Sequence, residues 1–254
     1  MAGEGKFIDN LINGNVFVGG AVRGDSFNKL LIEDFKSSPV MSAALGSAAT
    51  ATSASVMRIG NNTFLTTPII GQTLIAPVLA ATGLDVAGDQ TDNDGREIDF
   101  SGAGVLGARS LYSYTVGQKA FYGKLTLSLA DVSGTDLCMF GFRKAAAHNA
   151  DATAYTDFAT LNVVSADIKI STNLNAAGIT TTDTTLNWAD GETHTLEVRV
   201  AISGAATFYI DGVQSTVATV TLDATDVMIP FFSFLQATDL CNTMIFKYLE
   251  VGVQ

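Results

Sequence analysis

The chain has 254 residues, of which 47% are hydrophobic and only 15% are charged, and its formal net charge is -11. This composition supplies enough apolar surface for a large core, and it is the reverse of the composition that marks disordered chains. The 14 basic residues form no cluster that could neutralise phosphates, so we predict no nucleic-acid partner.

Residues 1–34 contain short apolar clusters separated by glycine, asparagine and other polar residues. Their periodicity is too weak for an independent domain. We predict an extended N-terminal arm that docks either on its own sandwich or on a neighbouring subunit. The candidate interface residues are the apolar ones in this arm: Phe7, Ile8, Leu11, Ile12, Val16, Phe17 and Val18.

No segment has the features of a secretion leader or of a membrane span. The start, Met1–Lys6, is not followed by an uninterrupted apolar run. The longest apolar stretch, Thr66–Leu84, is broken by Pro68, Pro77 and two glycines. We therefore expect no membrane partner and folding in a cytoplasm.

Residues 35–254 are predicted to form a single β-sandwich domain, with the strongest β pattern over 83–254. Ser37–Gly83 is rich in small residues, which predicts loops and short strands; a short helix around Ser42–Ala49 stays open as an alternative. From Gly83 onward, short runs of β-branched and aromatic residues alternate with polar ones between turn-forming clusters.

The clearest alternation runs over Ala120–Leu129, where four apolar residues are expected on one face of a strand. They are Phe121, Leu125, Leu127 and Leu129. Thr195–Val200 alternates in the same way. In Ala206–Val213, the dipeptide Asp211-Gly212 is the preferred composition of a two-residue type I′ hairpin turn.

Three further strands are predicted at Val217–Leu222, Met228–Leu235 and Thr243–Val251, and Pro230 is expected to mark a strand start or an edge strand. Strands at regular spacing without a helical pattern predict an all-β fold. Because each strand has an apolar face, a second sheet must cover it. We therefore predict an antiparallel jelly-roll β-sandwich with an extended N-terminal arm.

The two cysteines and two histidines form no recognisable reactive set. Cys138 and Cys241 are either two buried thiols or one bridge. Neither His148 nor His194 has zinc-ligand spacing to a cysteine or lies near a convincing nucleophile. We predict no catalytic residues of the Ser/His or Cys/His type.

Glu97-Ile98-Asp99-Phe100-Ser101 resembles the Glu-Ile-Asp-Phe-Glu catalytic strand of the laminarinase-type glycoside hydrolases, whose fold is a jelly-roll sandwich. The resemblance implies a nucleophile at Glu97. Ser101 stands where the general acid/base is required, and retaining hydrolysis needs both carboxyl groups. We therefore predict that the chain is not an enzyme.

Asp89, Asp92 and Asp94 precede Gly95 in a pattern that offers oxygen ligands and a sharp turn, as calcium loops do. The pattern lacks the glutamate that closes an EF-hand loop, and Asp, Asn and Gly are ordinary turn formers. We predict no cofactor and no metal, with calcium at these three aspartates as the alternative.

Asn187–Val198, followed by Thr207–Val213, resembles the strand–turn–strand of concanavalin A-like and laminin-G-like sandwiches. Trp188, the single tryptophan, begins this segment. We expect it to pack in the core, with a glycan platform as the alternative. The resemblance implies a concanavalin A-like sandwich.

Further segments resemble virion-associated proteins of tailed phages: Thr91–Gly95, Gly134–Asp136 together with Gly141–Ala145, and Pro230–Leu235. The resemblance implies a non-enzymatic capsid decoration or cement subunit on the capsid exterior. It would bind the major capsid protein of the same virion as a homo-oligomer, with a trimer favoured. The alternative is a receptor- or glycan-binding head of a tail fibre or spike; a glycoside hydrolase-like sandwich is favoured least.

Overall fold

The computed structural model describes residues 28–41, 55–69, 76–87, 93, 95–101, 112–149 and 151–254. Several predictions fall outside these ranges. They concern the candidate interface residues Phe7, Ile8, Leu11, Ile12, Val16, Phe17 and Val18, the calcium candidates Asp89, Asp92 and Asp94, and the alternative helix at 42–49.

The described residues form eighteen strands and two short 3-10 helices, Val132–Gly134 and Ala152–Ala154. The first nine strands are β1 (Asn28–Glu33), β2 (Val40–Met41), β3 (Ser55–Ile59), β4 (Asn62–Ile69), β5 (Val78–Ala80), β6 (Gly83–Asp85), β7 (Gly95–Asp99), β8 (Tyr114–Thr115) and β9 (Phe121–Leu129). The other nine are β10 (Thr135–Lys144), β11 (Phe158–Val164), β12 (Asp167–Asn173), β13 (Thr180–Asn187), β14 (Thr193–Val200), β15 (Ala205–Ile210), β16 (Val213–Thr221), β17 (Val227–Gln236) and β18 (Met244–Val253).

The strands form two antiparallel sheets, as the sequence predicts. The eight-stranded sheet has the order β16-β15-β14-β9-β18-β6-β5, and β1 also pairs with β18. The ten-stranded sheet has the order β13-β12-β11-β10-β17-β7-β4-β3-β2, and β8 also pairs with β17. The predicted all-β antiparallel sandwich is therefore confirmed.

One hydrophobic core lies between the sheets. The four residues predicted to share a face of β9 are all fully buried: Phe121, Leu125, Leu127 and Leu129. Phe232 of β17 meets Phe246 of β18 edge to face, with ring centroids 4.7 Å apart. Each such side chain stabilises the fold by roughly 1.5–3 kcal/mol relative to an exposed position, so the core holds the two sheets together.

The predicted hairpin turn is present between β15 and β16. Asp211 and Gly212 have φ of 51° and 80°, and Ile210 pairs with Val213. Positive φ at both central residues is what a type I′ turn requires. The turn composition therefore predicted both the hairpin and its register.

The prediction for Pro230 is wrong, because this residue lies inside β17, between β10 and the strands β7 and β8. Its carbonyl accepts a hydrogen bond from the Phe100 N–H at 3.0 Å, so its nitrogen faces the same side. On that side β17 pairs with β8 through Val227 and Met228, and with β7 only from Phe231 onward. The missing donor of the proline therefore falls in the gap between two partner strands.

The end of the predicted arm, Asn28–Glu33, is a strand of the sandwich itself. It pairs antiparallel with β18, and Leu31 is buried in the core. Lys29 forms an ion pair with Glu250 at 2.9 Å. Both cysteines, Cys138 and Cys241, are free and buried. Within the described ranges, no helix is long and apolar enough to cross a membrane.

Candidate functional site on the outer face of the ten-stranded sheet

A row of polar side chains crosses the face of the ten-stranded sheet that points away from the core. Thr67 of β4 pairs with Glu97 of β7, and Glu97 pairs with Ser233 of β17. Residues directly paired across antiparallel strands point to the same face. The alternate residues Ile98 and Phe232 belong to the core. All three polar side chains of the row are nevertheless buried.

Glu97 is held by an arginine and a tyrosine. Its Oε1 accepts a hydrogen bond from Nη2 of Arg143 at 2.8 Å, and its Oε2 accepts one from the Tyr155 hydroxyl at 2.8 Å. The guanidinium also lies over the Tyr155 ring, 4.3 Å from its centroid. Nδ1 of His148 is 3.8 Å from Oε1, which is too long for a hydrogen bond. We call these residues the Glu97 cluster: Thr67, Glu97, Arg143, His148, Tyr155 and Ser233.

The loop between β10 and β11 folds over this face of the sheet. Tyr155 and Ala152 in the loop pack on Phe231 and Met139, which point outward from the sheet, in a second small hydrophobic core. The Tyr155 hydroxyl also accepts a hydrogen bond from the Asn149 N–H at 3.0 Å. The loop is therefore fixed to the sheet through Tyr155, and it encloses the Glu97 cluster.

The carboxyl groups of Glu97 and Asp99 lie on the same face of β7 but have opposite pKa shifts. Burial would raise the pKa of Glu97, but Arg143, His148 and Tyr155 outweigh it and hold this pKa below its usual range. Burial raises the pKa of Asp99 above its usual range despite the attraction of Arg143. Glu97 is therefore the anion that neutralises the buried guanidinium.

These contacts do not suit Glu97 to the nucleophilic role that its resemblance implies. Both of its oxygens already accept hydrogen bonds, and its side chain is fully buried. Asp99 Oδ1 accepts a hydrogen bond from the Ser101 N–H at 2.7 Å. The acid/base position is occupied by Ser101, as the sequence shows. The arrangement therefore provides a structural ion pair, with Ser101 at the position where the resemblance requires the acid/base carboxyl group.

Several buried atoms of the Glu97 cluster have no hydrogen-bond partner within the described part of the chain. They are Oγ1 of Thr67, Oγ of Ser233, Nε of Arg143 and both ring nitrogens of His148. Leaving a buried polar group unpaired costs roughly 1–3 kcal/mol. Such groups call for bound water or a ligand. The cluster thus offers hydrogen-bond donors and acceptors together at one place.

A group of three aspartates, Asp157, Asp223 and Asp226, has carboxylate oxygens within 4.8 Å of one another. Nζ of Lys144 lies 2.6 Å from Oδ1 of Asp226 and 3.4 Å from Oδ2 of Asp157. The ammonium group therefore supplies the positive charge that a cation would bring.

The structure brings together some of the residues considered in the sequence and separates others. His148 joins Glu97, whereas His194 lies in β14 of the other sheet, where its Nδ1 is 2.6 Å from Oδ2 of Asp211. Trp188 is buried, with its ring 4.6 Å from that of His194, so the prediction of core packing is confirmed.

Four residues of the cluster were not predicted. Two of them carry a signal: Arg143 ends the apolar run Leu137–Phe142, and Ser233 is the one polar residue in Met228–Leu235. A lone polar residue in an apolar strand marks a site where a buried partner is required. Nothing in the sequence distinguishes Thr67 or Tyr155.

No protein-family model matches the chain, and the search of curated proteins finds no match. Among solved structures, the carbohydrate recognition domain of Emp47p aligns with a TM-score of 0.52 and 11% identity, over 87% of this chain and 96% of that one. The potassium-bound carbohydrate recognition domain of Emp46p aligns with a TM-score of 0.51 and 7% identity, over 73% of this chain and 87% of that one. At these identities the similarity concerns the fold. The chain has a concanavalin A-like β-sandwich fold.

Proposed function

We propose that this chain is a non-catalytic carbohydrate-binding domain whose ligand contacts the Glu97 cluster. The observation that carries the proposal is the convergence of donors and acceptors from Thr67, Ser233, Arg143 and His148 that have no partner among the described residues. A sugar hydroxyl both donates and accepts hydrogen bonds, so a sugar satisfies such a mixed set. The similarity of the fold to carbohydrate recognition domains supports the same function.

The ligand would enter beside His148. Its side chain is 8% exposed, while those of Glu97 and Arg143 are fully buried. Because Glu97 holds Arg143 and Tyr155, its role is to position the walls of the site. The groups that contact the ligand are the hydroxyls of Thr67 and Ser233, the imidazole of His148 and the Nε–H of Arg143.

The test is a glycan array followed by calorimetry on the sugars that bind. Thr67→Val removes one hydroxyl of the site at nearly constant volume, and we expect it to weaken binding about tenfold, the effect of one lost hydrogen bond. Thr66→Val is the matched control. Thr66 is equally buried and its hydroxyl also has no partner in the described ranges, but it lies on the opposite face of β4.

Equal affinity of the two variants would place the ligand elsewhere, and no binding to any glycan would refute the proposed function. The bound glycan should also be recovered uncleaved after long incubation with the wild-type chain. Turnover of the glycan by the wild-type chain would show an enzyme instead.

A second proposal is a structural role on a virion, as a capsid decoration subunit bound to the major capsid protein. It is supported by exposed apolar side chains on β13 and β16, the end strands of the two sheets. Leu186 is 45%, Val213 is 69% and Val217 is 44% exposed, and β16 contains no charged residue. Edge strands without charges favour pairing or packing with another chain.

The copy number in purified virions distinguishes the two kinds of virion role. Many copies spread over the head would support decoration, and the oligomer isolated from heads would show whether a trimer forms. A few copies at the tail would instead support a glycan-binding head of a tail fibre or spike. Absence from virions would refute both.

A further inference from the structure

We infer that the Glu97 cluster selects an uncharged sugar unit and rejects both acidic and amino sugars. This inference rests on the proposed carbohydrate-binding function. It concerns the charge of the ligand, which the contacts of the ionisable groups determine.

Arg143 has little capacity left for an acidic ligand. Its Nη2 donates to Glu97, and its Nη1 donates to the backbone oxygens of Lys144 and Ala146 at 3.2 and 3.4 Å. Among the described contacts, these bonds use three of the five N–H groups, and Nε is the one guanidinium nitrogen without a partner. A carboxylate is best bound by two parallel N–H groups of one guanidinium. Since Glu97 already occupies Arg143 and cancels its charge, a sugar carboxylate would be buried without a counterion.

The next basic residue along β10 does not supply a counterion either. Lys144 follows Arg143, so its side chain points to the other face of the strand, where its ammonium group pairs with Asp157 and Asp226. Removing an anion from water is costly unless it is paired, and neighbouring like charges increase that cost. Acidic sugars are therefore excluded.

An amino sugar is rejected as well, because its ammonium group needs a carboxylate with a free oxygen as its partner. Both oxygens of Glu97 accept hydrogen bonds from the protein. Oδ1 of Asp99 accepts one from Ser101, and burial favours the neutral form of this carboxyl group. The cluster atoms without a partner in the described part of the chain belong to two hydroxyls, an imidazole and the Nε–H of Arg143, and these groups suit the neutral hydroxyls of a sugar.

The test uses trisaccharide pairs that differ only in oxidation at C6: mannotriose against trimannuronate, and galactotriose against trigalacturonate. A glucosamine trimer represents the amino sugars, and a broad glycan array extends the comparison to other linkages. We expect the glycans that bind to be neutral, and we expect their affinity to be at least about tenfold higher than that of their charged counterparts. Their affinity should not change with salt, since no ion pair forms.

Thr67→Val should weaken the binding of the neutral ligand, while Thr66→Val should leave it unchanged. Tighter binding of the uronate or amino glycans, with an affinity that falls as salt is added, would overturn the inference and leave the proposed function intact. Binding of no glycan at all would overturn both.

Discussion

The Glu97–Arg143 pair is the most strongly constrained feature at the scale of single residues. Both side chains are fully buried, and the contact between Nη2 and Oε1 is 2.8 Å. Moving two charges out of water is expensive, and the pair is tolerated because Tyr155 and the backbone oxygens of Lys144 and Ala146 add hydrogen bonds to it. Its effect is to hold the β10–β11 loop against the sheet.

Removing one partner of this pair should be far more damaging than removing both. Glu97→Gln leaves the buried guanidinium without a counterion, so we expect the free energy of unfolding to fall by about 3–5 kcal/mol in urea titrations. In the double variant Glu97→Leu with Arg143→Met, no buried charge remains, and most of the loss should be recovered. A double variant less stable than Glu97→Gln would contradict this account.

The role of Lys144 can be tested through calcium. In Lys144→Met, Asp157 and Asp226 lose the ammonium group that pairs with both of them, and the carboxylate oxygens of Asp223 still lie within 4.8 Å of theirs. We expect the variant to be less stable than the wild type without calcium, and its melting temperature to rise when calcium is added, because oxygen ligands become available. In the wild type, Lys144 already pairs with these aspartates, so calcium should not raise the melting temperature by binding to them. If the melting temperature of the variant did not respond to calcium, the idea that the Lys144 ammonium group takes the place of a metal cation would be refuted.

At the scale of elements, one acidic residue adds side-chain contacts to the backbone pairing of β1 with β18. Glu250 accepts hydrogen bonds from the hydroxyls of Tyr122 and Tyr248 and forms the ion pair with Lys29 of β1. Burial would raise the pKa of Glu250, but these three partners hold it below its usual range. A group with a lowered pKa stabilises the folded state at neutral pH, and this contribution is lost as the pH falls.

The docking of β1 should therefore weaken in acid. In the unfolded chain a glutamate side chain titrates at about pH 4.3. Below that pH, the protection of the Asn28–Glu33 amides against hydrogen exchange should decrease, after correction for intrinsic exchange. Hydrogen exchange measured by mass spectrometry gives this directly. In Glu250→Gln the protection of β1 should already be reduced at pH 7 and should no longer depend on this titration. Wild-type protection that persists until the whole sandwich unfolds would contradict the prediction.

The sequence predicted those elements whose signal is local. The alternation in β9 and the Asp211-Gly212 turn lie within a few residues, and both are confirmed. The position of Pro230 was predicted wrongly because its effect depends on where β7 ends, opposite Phe231, and where β8 begins, opposite Met228. The row Thr67, Glu97 and Ser233 could not be predicted either, because strand order and register bring together residues far apart in the chain.

At the scale of the whole molecule, the two sheets share their core. Aromatic rings from opposite sheets are in contact: Phe121 of β9 lies 4.9 Å from Phe142 of β10, in addition to the contact between Phe232 and Phe246. Neither sheet can lose this surface without exposing the apolar face of the other. The described sandwich should therefore unfold as one unit.

This cooperativity is tested with two matched substitutions in calorimetry. Leu127→Ala lies in the eight-stranded sheet and Leu161→Ala in the ten-stranded sheet, and both leucines are fully buried. Each should cost about 2–5 kcal/mol, and each should lower the midpoint of the same single transition. If the sheets unfolded separately, each substitution would shift only one of two transitions. The shared aromatic contacts predict that this separation is not seen, because loss of either sheet exposes Phe232 or Phe246 to water.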